Sequence, residues 1–510
     1  MKSIFKAVAT VSAFAILSRI IAFFFKIFLS RVLGTSNMGI YQVAISMFSV
    51  IVAVCCSGIP LVVSKQTAQY HANINPLAQL NENKTVTASL IICLVFSFII
   101  YSTLLIFSNS LKPLFASEMS MNVLLLLMPA LCFFCISSII RSALWGRKMY
   151  AITSILDILE QLLRIGLCIG AIYLFSADNL LITAWTLSLS AAIATLFCII
   201  YYYKKGGRLA NPTGHFKPLL ATGVPITATK ISNNIVTMCI SFAIPFLFTA
   251  KGLSTEESLA MLGATIGMAL PLLCVPNTIV GSLAYIMIPT LSQLSEKKSK
   301  AMSIQINSAI KLSIVVACMF VAAFYIIGPE AGEFVFDNKI SGPFLQYGAW
   351  LIIPIALESI ISSMMNAIGL EVKGFINYCI GSAFLFIVCF SFFYQFSLQV
   401  FSMALGLSLT ICTILDIISI KKATKLELEF IFTLFICIAL IFPTIAFTQN
   451  VYNLLGLLKN TSMMQFVRLA VTGISSVAFY IGLVCVFELM GITSAFGFSK
   501  KRVARKVKIM

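Results

Sequence analysis

Residues 129–150 read PALCFFCISSIIRSALWGRKMY, and residues 354–375 read PIALESIISSMMNAIGLEVKGF. The two stretches align without a gap. Pro129 falls on Pro354, Ser137-Ser138 on Ser362-Ser363, and Lys148 on Lys373. Each is a long apolar run that ends in a basic residue, the pattern of a membrane-crossing helix with its end at a charged surface. Two shorter echoes keep nearly the same offset: Gly58-Ile59-Pro60 with Ile288-Pro289, and Ser18-Arg19 with Thr229-Lys230. The chain therefore reads as two similar halves.

Composition agrees with a lipid solvent. Of the 510 residues, 60% are hydrophobic and only 10% charged, against roughly 25% charged in a soluble domain. In lipid each backbone polar group must be satisfied within its own element, so spans are helices or closed barrels. The apolar runs here are about 20 residues long rather than ten-residue alternations, which selects helices. The expected fold class is an all-α membrane protein of about fourteen transmembrane helices. Expected spans include 7–33, 40–64, 121–144, 152–176, 217–249, 343–367 and 466–490. Pro225, Pro245, Pro271, Pro276, Pro289 and Pro354 fall inside spans, where they are expected to kink them. The opening Met1–Lys6 followed by an apolar run imitates a leader, and is read as a retained first span.

Six helices per half is an even number, so both halves point the same way, related by an axis along the membrane normal. The expected organisation is a six-helix lobe at 1–210, a second at 211–425, two further transmembrane helices at 426–495 and a basic cytoplasmic tail at 496–510. Lysine and arginine gather on alternate connections, including Lys65, Arg141, Arg147, Lys148, Lys204, Lys205, Lys297, Lys298 and Lys425. Such asymmetry places both termini in the cytoplasm of a multi-pass inner-membrane protein. It also accounts for the net charge of +18, so nucleic acid is not needed as a partner. The tail run KKRVARKVK is expected to meet anionic headgroups.

Fifteen cysteines are present, but Cys55, Cys56, Cys93, Cys132, Cys135, Cys198 and Cys389 all lie in apolar runs, where thiols act as small hydrophobes. With two histidines, His71 and His215, both in expected loops, no metal site or cofactor is expected.

Charges within spans carry the functional reading. Arg19 lies about twelve residues into the first span and Lys230 about thirteen into the seventh, so both are near midplane. Lys26 lies two turns past Arg19 on the same face. An intramembrane charge faces water or a partner. Arg19, Lys26 and Lys230, with Asn233 and Asn234 as added donors, are candidates to line a cationic cavity; pairing with Glu358 or Asp157 across the bundle is the alternative. Glu160 and Arg164 are spaced for a pair within one helix. Glu358, a lone acid, and Asp157 are candidates for coupling transport to a proton or cation. Asp416 and Glu488 are expected to reach the interface from inner helix ends.

Ser18-Arg19-Ile20-Ile21-Ala22-Phe23-Phe24-Phe25-Lys26, Ser30-Arg31-Val32-Leu33-Gly34, Met38-Gly39-Ile40-Tyr41-Gln42 and Ser57-Gly58-Ile59-Pro60 with Ser64-Lys65 resemble the opening of the stage V sporulation protein B group. That group sits among the lipid-linked oligosaccharide and polysaccharide flippases of the multidrug/oligosaccharidyl-lipid/polysaccharide exporter superfamily. The resemblance implies a monomeric flippase for an undecaprenyl-pyrophosphate-linked saccharide, lipid II-like or a polysaccharide precursor, with membrane lipid as its other partner. Arg19 matches the family's span-1 arginine, and the second cation is displaced by one residue to Lys26. The cavity arginines of spans 2 and 8 are replaced by apolar stretches around Ala53 and Pro271. A cation-coupled exporter of drugs or small solutes is the alternative within the superfamily. A membrane enzyme would need carboxylates or a metal in an outer loop, and the only acidic outer segment, Glu330, Glu333 and Asp337, reads as a short connector.

Overall fold

The computed structural model describes residues 2–72, 77–281, 300–424, 430–456 and 462–490. Every regular element among them is a helix. The expected features at Ile288-Pro289, Lys297, Lys298, Lys425 and the tail 496–510 lie outside these residues, as does the Lys230 side chain.

Two compact units divide the chain at Gly263. The first comprises α1 (Lys2–Cys56), α2 (Ile59–Ala72), α3 (Ala78–Leu111), α4 (Glu118–Gly146), α5 (Tyr150–Leu174), α6 (Asn179–Lys204), α7 (Phe216–Ala250) and α8 (Thr255–Leu262). Expected spans 1 and 2 are one helical run broken at Gly34, whose φ of 74° is open to glycine at little steric cost. Helix α4 starts where the Ser117 side chain accepts from the Met119 amide, and α6 where Asp178 accepts from Leu180. Within this unit α4 packs on α1, α2, α3 and α6, while α7 packs on α1, α2 and α3. Helix α7, which opens the second half of the sequence repeat, is thus built into the first compact unit.

The second unit begins with a π-helical turn at Gly263–Ala269 that runs into α9 (Leu270–Leu273) and α10 (275–281). Pro271 lies inside the helical stretch Thr255–Leu273, directly after the π-helical turn. There follow α11 (Lys300–Phe336), α12 (Ser341–Gly348), a 3-10 turn, α13 (Ile352–Ile368), α14 (Glu371–Ser391), α15 (Leu398–Thr424), α16 (Ile431–Ala439), α17 (Ile441–Leu455) and α18 (Ser462–Leu489). Pro354, inside the helical stretch Ser341–Ile368 as expected, is the third residue of α13 and follows the 3-10 turn. Gly369 closes α13 in the left-handed conformation.

Twelve helical stretches among the described residues are long and apolar enough to cross a membrane. The first of them, Ile16–His71, holds two expected spans, and α5 stands outside the twelve while carrying Asp157, Glu160 and Arg164. The fourteen expected spans are therefore an approximate count of the same helices.

Of the acidic segment expected as an outer connector, Glu330 and Glu333 instead lie in the last turns of α11, and Asp337 follows its end. Glu330 accepts a 2.6 Å hydrogen bond from the Tyr452 hydroxyl, and Arg468 approaches it to 3.6 Å while its guanidinium lies 3.8 Å from the Tyr452 ring centroid. This carboxylate fastens the last two helical spans to α11. Asp416 and Glu488 are both buried, contrary to the expectation of solvent-reaching ends. Asp416 is satisfied by Asn377, whose side-chain amide donates to it at 2.7 Å.

Candidate functional site

The first unit contains two adjoining cavities, of about 600 and 570 Å³, that share Val52, Cys56, Ser57 and Phe134. Their walls come from α1, α2, α4, α5, α6 and α7. Helices α1 and α2 are separated by Ser57-Gly58. The Gly58 amide donates to Thr227 Oγ1 at 3.1 Å. A Cβ on Gly58 would lie 2.1 Å from the Gly223 carbonyl oxygen. Only glycine allows the chain break to press this closely on α7.

The larger cavity is walled by α1, α2, α4 and α5. Arg141 of α4 donates to Asp157 through Nη1 and to Glu160 through Nη2. Glu160 also accepts from Arg164 Nη2 at 3.0 Å. Asp157, Glu160 and Arg164 share one face of α5, at spacings of three and four residues. The result is a row of two cations and two anions with no net charge. The Nε groups of Arg141 and Arg164 are buried without a partner among the described residues. The smaller cavity continues past Phe134 to Arg164 and Asn234. Phe48 and Phe134, ring centroids 6.1 Å apart, form its apolar wall. Asn234 of α7 reaches the Ser49 carbonyl at 3.5 Å.

The structure brings together four of the residues singled out in the sequence: Asp157, Glu160, Arg164 and Asn234. Arg19 is exposed on α1 and has no ion pair among the described residues. Lys26 is half-buried on α1 and engaged with neighbouring groups. Neither lines the two cavities. Lys230 lies on α7, one turn before Asn234, and Asn233 is exposed on the same helix. Glu358 lies in the second unit on α13 and is half-buried. No group of three or more metal-ligating side chains occurs among the described residues.

Sequence reasoning missed Arg141, which was placed among the inner-surface cations. The signal was available: it falls inside the expected span 121–144, one helix away from two intramembrane acids. A second cluster was missed outright. Glu82, at the start of α3, is completely buried and accepts from Arg147 Nε and Nη2 at 2.9 and 2.6 Å. His71 Nε2 lies 2.6 Å from its other oxygen, and the Tyr202 hydroxyl donates at 3.3 Å. Arg147 Nη1 donates to the Lys205 carbonyl at 2.7 Å. One carboxylate thus ties the ends of α2, α3, α4 and α6.

Known proteins share this architecture. A family profile described as "Polysaccharide biosynthesis protein" matches residues 4–295. Stage V sporulation protein B of Bacillus subtilis (strain 168) is 20% identical over 385 residues, covering 72% of this chain and 74% of that protein. Among solved structures, the lipid II flippase MurJ in an inward closed conformation superposes with a TM-score of 0.72 at 13% identity, over 94% of this chain and 99% of that one. An inward-facing multidrug resistance MATE family transporter of the MOP superfamily superposes with a TM-score of 0.65 at 15% identity, over 80% and 96% of the two chains. At these identities the structures establish a shared two-repeat helical fold.

Proposed function

Because this chain belongs to the polysaccharide biosynthesis protein family, we propose that it is a flippase that carries an undecaprenyl-pyrophosphate-linked saccharide across the cytoplasmic membrane by alternating access. The observation that carries the reading is a polar cavity, built from serines, paired charges and an asparagine, inside a unit made of apolar membrane-length helices. A lipid-facing structural bundle has no use for such a cavity, since each polar group in it is placed against the hydrophobic solvent. A cargo with a polar head and a lipid tail has use for both. The names of the relatives, a sporulation protein and a lipid II flippase, support the same class.

In this reading the pyrophosphate meets the cations of α1 and α7. Arg19, Lys26 and Lys230 supply charge-assisted donors, and Asn233 and Asn234 add neutral ones. The protein works as a monomer with both termini cytoplasmic, and its own side chains make and break no covalent bond of the cargo. Asp157 is held by Arg141. The coupling role therefore falls to Glu358, a carboxyl within the membrane-length stretch Ser341–Ile368.

The experiment is depletion of the protein followed by identification of the lipid-linked sugar that accumulates on the inner leaflet. Accumulation of one such lipid, relieved by the wild type and not by Arg19→Ala, is the expected result; unchanged lipid pools would refute the reading. A cation-coupled exporter of small solutes is the second reading, favoured by the two acids Glu358 and Asp416. Saturable binding of a cationic dye, with none of a polyprenyl-pyrophosphate sugar, would establish it instead.

A further inference from the structure

The larger cavity of the first unit has a chemistry that the pyrophosphate does not explain. Arg141, which lines it, and Arg164, which lines the adjoining cavity, have their charges cancelled by Asp157 and Glu160. A multiply charged anion gains little there, because each carboxylate repels what its arginine attracts. An organic cation is disfavoured for the mirror reason. An acyl chain is excluded by the row of charges and hydroxyls. What remains is a neutral ligand rich in groups that both donate and accept.

The hydroxyls of the wall fit such a ligand. Ser64, Ser138 and Ser142 line the cavity, and none has a side-chain hydrogen-bond partner among the described residues. Ser137, by contrast, is turned back onto the Phe134 carbonyl at 3.2 Å. Three half-buried, uncommitted hydroxyls thus stand beside two carboxylates and an arginine. Trp145 closes the same cavity at the end of α4. Tyr150 meets it edge-on, ring centroids 4.9 Å apart, which fixes the orientation of the indole while 41% of the residue stays exposed. An indole offers a flat apolar face with a polar edge. A pyranose ring presents C–H groups on its faces and hydroxyls around its rim, and needs both kinds of surface at once. The volume of about 600 Å³ lies within the range of pockets that enclose ligands of that size.

We propose that this cavity seats the saccharide portion of the cargo, with Trp145 against a ring face, Ser64, Ser138 and Ser142 on its hydroxyls, and Asp157, Glu160 and Arg141 as acceptors and donor. The inference rests on the flippase reading for the identity of the cargo and adds a separate seat for its neutral part. It places sugar selectivity in α4 and α5, away from the cations of α1 and α7.

The test uses the full-length protein in detergent, with a panel of soluble methyl glycosides of neutral hexoses and N-acyl hexosamines as probes. The chain has three tryptophans, Trp145, Trp185 and Trp350. At least one glycoside is expected to change the intrinsic fluorescence saturably. The change is expected to vanish in W145F, to persist in W185F, and to resist competition by inorganic pyrophosphate. S138A and S142A break no internal hydrogen bond, so they leave the fold intact while weakening binding about three- to tenfold each. The proposal is overturned if no glycoside produces a Trp145-dependent change at millimolar concentration, or if pyrophosphate displaces it. Vesicle assays separate this inference from the flippase reading. If the wild type moves a lipid-linked sugar and W145A with S138A leaves rate and sugar preference unchanged, the seat falls and the flippase stands. If glycosides bind at Trp145 while no lipid-linked sugar moves, the flippase falls and the seat stands.

Discussion

Helix α4 carries Arg141 in its last turns and is followed directly by Arg147, and the two arginines have opposite fates. Arg147 is enclosed: its Nε and Nη2 go to Glu82, its Nη1 to the Lys205 carbonyl, and the Tyr202 ring lies 5.2 Å from its guanidinium carbon. The Glu82 side chain has no exposed surface at all. Arg141 stands in a cavity, its Nε unpartnered, one of its carboxylates belonging to Asp157, whose side chain is 52% exposed. The first cluster is saturated around a fully buried carboxylate, so it behaves as a rivet. The second is open and unsaturated, so it retains capacity for a ligand. Two salt-bridged arginines at one helix end are alike in sequence, and solvent access alone separates their roles.

Removing the rivet gives the largest expected effect. Glu82→Ala leaves Arg147 buried with an unpaired charge, which costs about 3–5 kcal/mol. Thermal unfolding in detergent should show a large fall in Tm together with loss of transport. A Tm near wild type would show that the enclosed cluster is no rivet. Gly58→Ala comes next. The new methyl meets a backbone carbonyl oxygen at 2.1 Å, so the seam between the chain break and α7 must open. The expected loss is about 1–3 kcal/mol, and the adjoining cavity should change shape. Cysteine-accessibility labelling of Ser49→Cys would report that change, and identical labelling in both backgrounds would count against it.

Arg141→Gln sharpens the contrast most directly. Asp157 returns to water and Glu160 keeps Arg164, so the stability loss should stay at about 1 kcal/mol or less. Transport of a lipid-linked sugar in vesicles should nevertheless fall at least about tenfold, one order for each 1.4 kcal/mol of lost binding. A variant that loses stability and transport in proportion would place Arg141 with Arg147. The smallest effect is expected at His215, at the start of α7, whose Nδ1 lies 3.1 Å from Thr85 Oγ1. Burial, with Lys84 nearby, holds its pKa below the ordinary value. The unfolded chain therefore takes up the proton first. The contribution is complete above the unfolded pKa of about 6.5 and is lost as pH falls through the lower folded value. Wild-type Tm should drop slightly more than that of His215→Gln between neutral and mildly acid pH; parallel curves would refute the assignment.

Much of the fold was legible along the chain, and less of the site. The run 129–150 announced α4, and the spacing of Glu160 and Arg164 announced a contact within α5, since both are properties of one helix read locally. Arg141 was legible only as a charge near a helix end. Nothing along α4 tells that α5 brings Asp157 and Glu160 to it. Glu82 carried no signal along the chain, because its partners come from α2, α6 and the end of α4. The acid at Glu330 looked like a loop residue until Tyr452 and Arg468, more than a hundred residues later, were found against it.

By itself, the sequence determined that this is an all-helical membrane protein of two like halves with extra helices at the end. Hydropathy and repetition are sums along the chain, and the bilayer converts them directly into spans. Tertiary structure alone decided that α7 joins the first compact unit, that Gly58 must be bare, and which of two arginines at the end of α4 lines a cavity. Those outcomes depend on how helices approach one another across space, where a single close contact or a single water-filled gap changes the energy of a charge by several kcal/mol.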